Sequence, residues 1–369
     1  MQAAMNDLDS LRATLDRLDG EVLALAKERA DVVAAIGATK KASGGALFDR
    51  ERERRVLALA RHRSEALGLD PDLGEALLRT LVEGSHGDQH RTLRAQTSQS
   101  FCIVGGGGRM GRLLGAALME RGHRVRSIER GEPLDVQDAD IVMLAVGMAH
   151  QEALAAEVGP RMSAGSLLCD INSLKAGVCA AMERAWSGEV LGLHPMFGPT
   201  VGTLRRQKVV VCSVRPGPLG EWLSSELAAM GLDRVVCTPD EHDRMMAVVQ
   251  VLVHFNTLVM GEALRRNGVP VARSLEFTSP IYRLELAFTG RLFAQSADLY
   301  AEIEMSNPHG PEVRQHFQDA VAAVRELIDR GDRDGFRALF EGVSAFFGGF
   351  EDESMRLSDV VIDTLVARP

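Results

Sequence analysis

The sequence has no lysine-rich run, no CxxC pair and no apolar stretch of bilayer length, and each absence closes off a class of function. Lys and Arg number 42 against 51 Asp and Glu, a formal net charge of −9, so a nucleic-acid surface is not the main business of the chain. The five cysteines, Cys102, Cys169, Cys179, Cys212 and Cys237, are scattered; an odd number with no signal peptide reads as reduced intracellular thiols, most of them buried as apolar side chains. Runs such as DIVMLAV are far too short to cross a bilayer, so the expectation is a soluble, cytoplasmic protein with no membrane partner. There is no internal repeat and no low-complexity tract, and no metal site is expected.

What is present is a chain of 369 residues, 46% hydrophobic and 25% charged, long enough for two or three domains with proper cores. Up to about residue 85 it carries only helical periodicity, broken at ASGGA (42–46) and near Gly68 to Pro71, which predicts three helices. The stretch GSHGDQHRTLRAQTSQS (84–100) is nearly devoid of apolar residues and reads as a linker. From Phe101 to about Pro239 short β-rich runs follow (FCIV, RVRSIE, DIVMLAV, SLLCDI, VLGL, KVVVCSV, RVVCT), several separated by helical patterns, which predicts a parallel α/β sheet. After Asp240 the pattern is helical to the end. The expected division is a helical domain at 1–90, a linker at 91–99, a dinucleotide-binding domain at 100–240 and a helical domain at 241–369.

In the first helix Leu8, Leu11, Leu15, Leu18, Val22, Leu25, Val32 and Ile36 form a narrow apolar seam suited to packing on other helices, interrupted once by Arg29. A guanidinium there is costly unless an anion meets it. Lys40, 11 residues on, points within about 20° of the same direction and about 16 Å farther along the axis, so both cations can lean over one small anion. Arg12 lies about 25 Å away and about 100° around the helix, and reaches such a ligand only from a partner's helix. In FDRERERRVL, Asp49 and Glu53 share a face with Arg52 beside them, and in VEGSHGDQ so do Ser85 and Gln89. The plain alternative is a solvated, salt-bridged face.

From Leu11 to Gln89 this arrangement resembles the all-helical chorismate mutase family, whose members are intertwined dimers. The resemblance implies that Arg29 and the partner's Arg12 hold two carboxylates, Ser85 assists a carboxylate, Glu53 with the Asp49 region meets the ring hydroxyl, Lys40 and Gln89 face the ether oxygen, and Arg52 completes the electrostatic frame. Rearrangement of chorismate to prephenate needs no nucleophile, metal or general base. It needs a dianion held folded and donors where charge grows on the breaking C–O bond. On this reading Arg29 interrupts the seam because the helices open there around an anion.

The run FCIVGGGGRMGRLLGAALMERGHRVRSIER places Gly106, Gly108 and Gly111 as GxGxxG between a strand and a helix, with Glu129 18 positions later at the end of the next strand. The pattern predicts a Rossmann-type dinucleotide site with the pyrophosphate at the helix N-terminus. Glu129 would accept both adenine-ribose hydroxyls and favours NAD, while Arg130 beside it leaves NADP open.

Two further segments, CDINSLKAG and LGLHPMFGP, fall at the C-terminal ends of strands, where ligands collect in open α/β sheets. With EHDRMMA and SPIYRLELAFTGRLFAQ they resemble the prephenate dehydrogenases, and the whole chain resembles the bifunctional chorismate mutase and prephenate dehydrogenase of tyrosine biosynthesis. The resemblance implies that His194 takes the proton from the ring 4-hydroxyl as hydride leaves, Ser173 bonds near that hydroxyl, Arg291 binds a carboxylate, and His242, Arg283 and Lys175 support the pocket. The product would be 4-hydroxyphenylpyruvate. The expected architecture is an all-α chorismate mutase domain, an α/β Rossmann-type domain and an all-α C-terminal dimerisation domain.

A homodimer is implied by the partner's Arg12 and by the aromatic stripe Phe336, Phe340, Phe346, Phe347 and Phe350, whose plain alternative is intrachain core. Tyrosine is the feedback ligand the resemblance implies, acting in or near the dehydrogenase pocket. Three rivals stay open: an arogenate dehydrogenase with a decayed mutase, helices that serve dimerisation only, and an NAD-sensing regulator.

Overall fold

A computed structural model describes residues 2–42, 50–92 and 97–366. Its internal contacts divide the chain into two compact units, Met1–Ser98 with Leu114–Arg124, and Gln99–Leu113 with Val125–Pro369.

The first unit holds three long helices, α1 (Gln2–Ala42), α2 (Arg50–Ala66) and α3 (Pro71–Thr92). The two predicted breaks fall in the 43–49 segment, outside the described residues, and in the turn at Leu67–Asp70, where Gly68 takes a positive φ. Helices α2 and α3 pack through Ala60 and Ser64 against Gly74, and Arg61 of α2 reaches Glu75 of α3 at 3.0 Å. The polar stretch read as a linker from residue 84 is helical as far as Thr92. It contains no proline to stop a helix already nucleated by Leu77, Leu78 and Leu81, and Gly84 and Gly87 weaken the helix without ending it. The seam of α1 is exposed along its length, with Leu11 at 60%, Leu15 at 58% and Leu25 at 65%.

The second unit, together with the Leu114–Arg124 stretch that the contact division groups with the first, forms a seven-stranded sheet with helices between strands. Its elements run β1 (Ser100–Val104), α4 (Arg109–Glu120), β2 (Arg124–Ile128), β3 (Ile141–Leu144), α5 (Met148–Val158), β4 (Leu167–Asp170), α6 (Ala176–Ala185), β5 (Glu189–Pro195), β6 (Lys208–Arg215), α7 (Pro218–Ala229) and β7 (Asp233–Val236). The seven strands coincide with the seven β-rich runs of the sequence. Strand order is β2-β1-β3-β4-β5-β6-β7. The central strands β1, β3, β4 and β5 are parallel, with Cys102, Val142, Leu168 and Val190 in one row. These strands are buried on both faces, as their near-continuous apolar composition requires. The predicted parallel sheet holds from β1 to β5, and beyond it β6 pairs antiparallel with β5 and carries β7 parallel to itself. Apolar runs of this length carry no direction, which the connection between strands decides.

Past β7 come α8 (Pro239–Met246), a turn of π-helix at Ala247–Leu252, α9 (Val253–Asn267), α10 (Val271–Leu275), α11 (Pro280–Phe293), α12 (Ala297–Ser306), α13 (Gly310–Asp329), α14 (Arg333–Phe347) and α15 (Phe350–Val366). Helix α8 starts where the sequence TPDE dictates, with the Thr238 hydroxyl accepting from Glu241 N at 3.2 Å and proline in the first turn. Because α8, the π turn and α9 run on without interruption, Pro239–Asn267 is long and apolar enough by composition to cross a bilayer, which reading short runs singly does not reveal. The aromatic stripe is exposed, with Phe340 at 66% and Phe346 at 86%, so in a single chain it is not core.

Candidate functional site

Because β1, β3, β4 and β5 are parallel, the glycine turn after β1, the loop after β4 and the end of β5 lie on one edge of the sheet. From β1 to β5 is three strand spacings, about 14 Å. At the glycine turn, a Cβ on Gly111 would stand 2.8 Å from the Gly106 Cα, so helix α4 begins this close only without a side chain there. The Glu129 carboxylate accepts from Gly107 N at 2.5 Å, reaching from the end of β2 over the turn, and Arg112 donates to the Gly107 carbonyl. A glycine cradle at a helix N-terminus with a carboxylate across it fits the pyrophosphate and adenine ribose of a dinucleotide.

At the far end of that edge His194 is the penultimate residue of β5 and is buried. Its Nδ1 lies 2.8 Å from His242 Nε2, and His242 Nδ1 lies 2.7 Å from Asp243 Oδ1. Asp243 also accepts from Lys175 N at 2.8 Å and Ala176 N at 2.9 Å, so its carboxylate sits on the first turn of α6. Asn307 donates to the Asp243 carbonyl at 2.9 Å and fixes α8 from the side of α12.

These contacts determine the protons. Burial pushes the Asp243 carboxyl up, but the bonds from His242, Ala176 and Lys175 outweigh it and hold the group below its ordinary value, hence ionised and accepting only. His242 therefore carries its proton on Nδ1 and accepts at Nε2. His194 then carries its proton on Nδ1, leaving a lone pair on Nε2. Burial above all, and then neighbours (His242 and Lys175) beside which a second positive charge is disfavoured, lower His194 well below the ordinary imidazole value, so the ring is a neutral base.

The remaining predicted residues divide. Ser173 is half-buried in the loop between β4 and α6. Arg291, exposed in the last turn of α11, has its guanidinium beside Gly198, four residues past His194. Its charge is also felt by Tyr300, whose phenol is raised by burial and lowered by Arg291. Arg283 is exposed in the first turn of α11, about 12 Å back along the helix. Lys175 differs from a pocket-facing cation: it is fully buried, with its ammonium on the fully buried Asp170. Its stem passes under β5 where Gly192 leaves room; a Cβ there would stand 3.1 Å from the Lys175 Cδ.

Asp243 and Gln250 were not among the candidates. Asp243 has a signal, since it follows a histidine in EHDR, and Gln250 has another, as the single polar residue of AVVQVLV. Gln250 Nε2 lies 3.3 Å from His194 Nε2.

In the helical unit Arg29 is half-buried and donates to the Leu81 carbonyl of α3 at 2.9 Å; burial lowers its guanidinium from the ordinary value. Arg12 lies on the same helix, exposed beside Asp9 at 3.4 Å, and Arg52 is exposed on α2. Asp49 and the side chains of Lys40, Glu53, Ser85 and Gln89 lie outside the described residues.

Comparison with known proteins gives three family matches along the chain: chorismate mutase type II at residues 11–90, the prephenate dehydrogenase nucleotide-binding domain at 121–213, and the prephenate dehydrogenase dimerization domain at 238–342. The T-protein of Enterobacter agglomerans is 35% identical over 351 residues, covering 93% of both chains. The T-protein of Haemophilus influenzae is 31% identical over 362 residues, covering 96% of both. Among solved structures, prephenate dehydrogenase from A. aeolicus in complex with hydroxyphenyl propionate and NAD+ matches with a TM-score of 0.57 at 17% identity, covering 69% of this chain and 99% of that one, a likeness of fold. With near full-length identity above 30% and the three matches in this order, the chain belongs to the T-protein family, a chorismate mutase followed by a prephenate dehydrogenase.

Proposed function

We propose that His194 is the base of the second of two consecutive reactions, in which chorismate is rearranged to prephenate and prephenate is oxidised and decarboxylated to 4-hydroxyphenylpyruvate. The observation that carries the proposal is the Asp243–His242–His194 chain, which ends in a lone pair at the C-terminal edge of the sheet. A base within reach of the carbinol is what this oxidation asks of the protein, because loss of CO2 restores aromaticity and no carbanion has to be stabilised. Ser173 bonds near the hydroxyl and Arg291 grips a substrate carboxylate, orienting the ring. His242 holds the His194 tautomer, Lys175 supports the loop from below through Asp170, and Arg283 borders the pocket.

Gly106, Gly108, Gly111 and Glu129 would hold the dinucleotide, and the Glu129 carboxylate repels a 2′-phosphate, in keeping with NAD. When bound, NAD supplies the hydride acceptor.

For the rearrangement we assign Arg29 and the partner's Arg12 to the substrate carboxylates, Ser85 to one of them, Glu53 and Asp49 to the hydroxyl side, Lys40 and Gln89 to the ether oxygen and Arg52 to the electrostatic frame. The division of labour follows residues 1–90 for the mutase and 100–240 with 241–369 for the dehydrogenase, joined by 91–99.

A homodimer is supported by the exposed seam of α1 and the exposed phenylalanines of α14, apolar surfaces that a second chain would cover. Tyrosine carries the ring and carboxylate of the product, which makes the dehydrogenase pocket the place for its feedback. We place the protein in the cytoplasm, free of the membrane: its five thiols are free, and Pro239–Asn267 carries His242 and Asp243 inside the site.

Chorismate alone, with and without NAD, tests the reading. Prephenate should accumulate without NAD, and NADH should appear after a lag when NAD is present. Failure of supplied prephenate to yield NADH would remove the second reaction.

A further inference from the structure

The turn Ala247–Leu252 is π-helical inside an otherwise regular α-helical run. A π turn inserts a residue and turns the following face, an arrangement that costs stability and persists mostly where a side chain has to be aimed. Here the aimed side chain is Gln250, whose Nε2 stands 3.3 Å from His194 Nε2. The amide orientation follows from the tautomers. Asp243 fixes His242, His242 fixes His194, and the resulting lone pair on Nε2 can face only a donor, so the NH2 group and not the carbonyl points at the base. The other end of the amide, Oε1, is buried without a hydrogen-bond partner among the described residues. A buried acceptor left unmade calls for an explanation, and the resting enzyme provides none.

The chemistry provides one. During the oxidation the carbinol O–H bond breaks, an N–H bond forms at His194 Nε2, a C=O bond forms at the carbinol carbon and the C–H electron pair would pass as hydride to the bound nicotinamide. A ring nitrogen that was an acceptor becomes a donor, and a fixed NH2 group beside it turns from partner to repeller. Glutamine is the side chain that answers both states, because a half-turn of its amide replaces a donor by an acceptor in the same place.

We propose that Gln250 is a positioning residue of the dehydrogenase, donating to His194 Nε2 until the substrate hydroxyl takes over that lone pair, and turning Oε1 to accept the new Nε2–H once the hydroxyl proton has been taken. The proposal rests on His194 being the base. It adds hydrogen-bond exchange only, with no bond made or broken in Gln250. The other groups facing His194 are His242 and Asp243 from α8 and Lys175 with Asp170 from the strand-to-helix loop, and none of these is placed at Nε2.

The test is the pH profile of kcat/KM for prephenate oxidation in the full-length enzyme and its Gln250→Glu and Gln250→Leu variants, with chorismate turnover and thermal unfolding as folding controls. In Gln250→Glu a carboxylate favours the imidazolium, and the acid limb moves up by about one pH unit or more. In Gln250→Leu kcat falls about tenfold to a hundredfold with KM little changed. A glutamine that merely fills the turn would lower thermal stability and leave the acid limb in place. An unmoved limb in a folded Gln250→Glu, or a kcat within threefold of wild type in Gln250→Leu, overturns the proposal. His194→Asn separates the two layers: if it keeps oxidising prephenate, the assignment of the base fails. If it does not, and the Gln250 variants behave as wild type, only the role of Gln250 fails.

Discussion

His242 Nδ1 and Asp243 Oδ1 lie 2.7 Å apart although the residues are neighbours in sequence. Consecutive side chains on a helix diverge by about 100°, so the pair does not form by default. It forms because both are drawn inward, His242 to His194 and Asp243 to the first N–H groups of α6. In Asp243→Asn the amide cannot accept all three of these donors, and the His242 tautomer is no longer fixed. Prephenate turnover should fall about a hundredfold in kcat with KM little changed, chorismate turnover being unaffected. Steady-state kinetics at saturating NAD check this; a kcat within threefold of wild type would mean that Asp243 only caps α6.

Arg29 crosses from α1 to the Leu81 carbonyl of α3, which holds a half-buried cation at the break in the apolar seam. Arg29→Ala should cost about a thousandfold in kcat/KM for chorismate, and Arg29→Lys most of that, since an ammonium lacks the bidentate fork. Oxidation of supplied prephenate should be unchanged. Intact chorismate turnover in Arg29→Ala would reduce these helices to an assembly module.

Asp170 and Lys175 are both at 0% exposure, and burial pushes the Asp170 carboxyl up from its usual range even beside the ammonium. Lys175→Met strands that carboxyl and should lower unfolding stability by about 3–5 kcal/mol in urea titrations. Lys175→Met with Asp170→Leu should recover most of the loss. Equal stability of single and double variants would show the pair to be uncoupled.

Glu304 is a buried carboxyl whose oxygens have no hydrogen-bond partner among the described residues; Arg314 donates to the Glu304 backbone carbonyl at 2.7 Å and lies 3.9 Å from the carboxyl. Burial, partly offset by Arg314, raises it from 4.5 to about 7. The folded state therefore holds a proton that the unfolded state releases at lower pH, so this group lowers stability as pH rises from the unfolded value through the folded one. Glu304→Gln should unfold at the same temperature as wild type near pH 4 and at a higher temperature above pH 7, by no more than about 3 kcal/mol. A pH-independent difference in calorimetry would contradict this.

Much of the fold was legible because its signals are local. Seven β-rich runs became seven strands, and the glycine turn lies between strand and helix as GxGxxG demands. The antiparallel step from β5 to β6 was not legible, since apolar alternation has no direction. Nor was the cover of Leu11 or Phe346, because a pattern states that a face is apolar and not which chain hides it. His194 and His242 were singled out by their sequence surroundings, and the structure brings their rings together at 2.8 Å. Asp243 was missed because a carboxylate in EHDR reads as solvated, and Lys175 reads as ligand-facing until its partner across the loop, Asp170, is seen.

The most direct measurement is prephenate oxidation by His194→Asn, followed by NADH formation, with chorismate turnover recorded on the same preparation. A base at His194 Nε2 predicts a kcat lowered by about a thousandfold or more while the rearrangement proceeds at the wild-type rate. Oxidation within tenfold of wild type would contradict it.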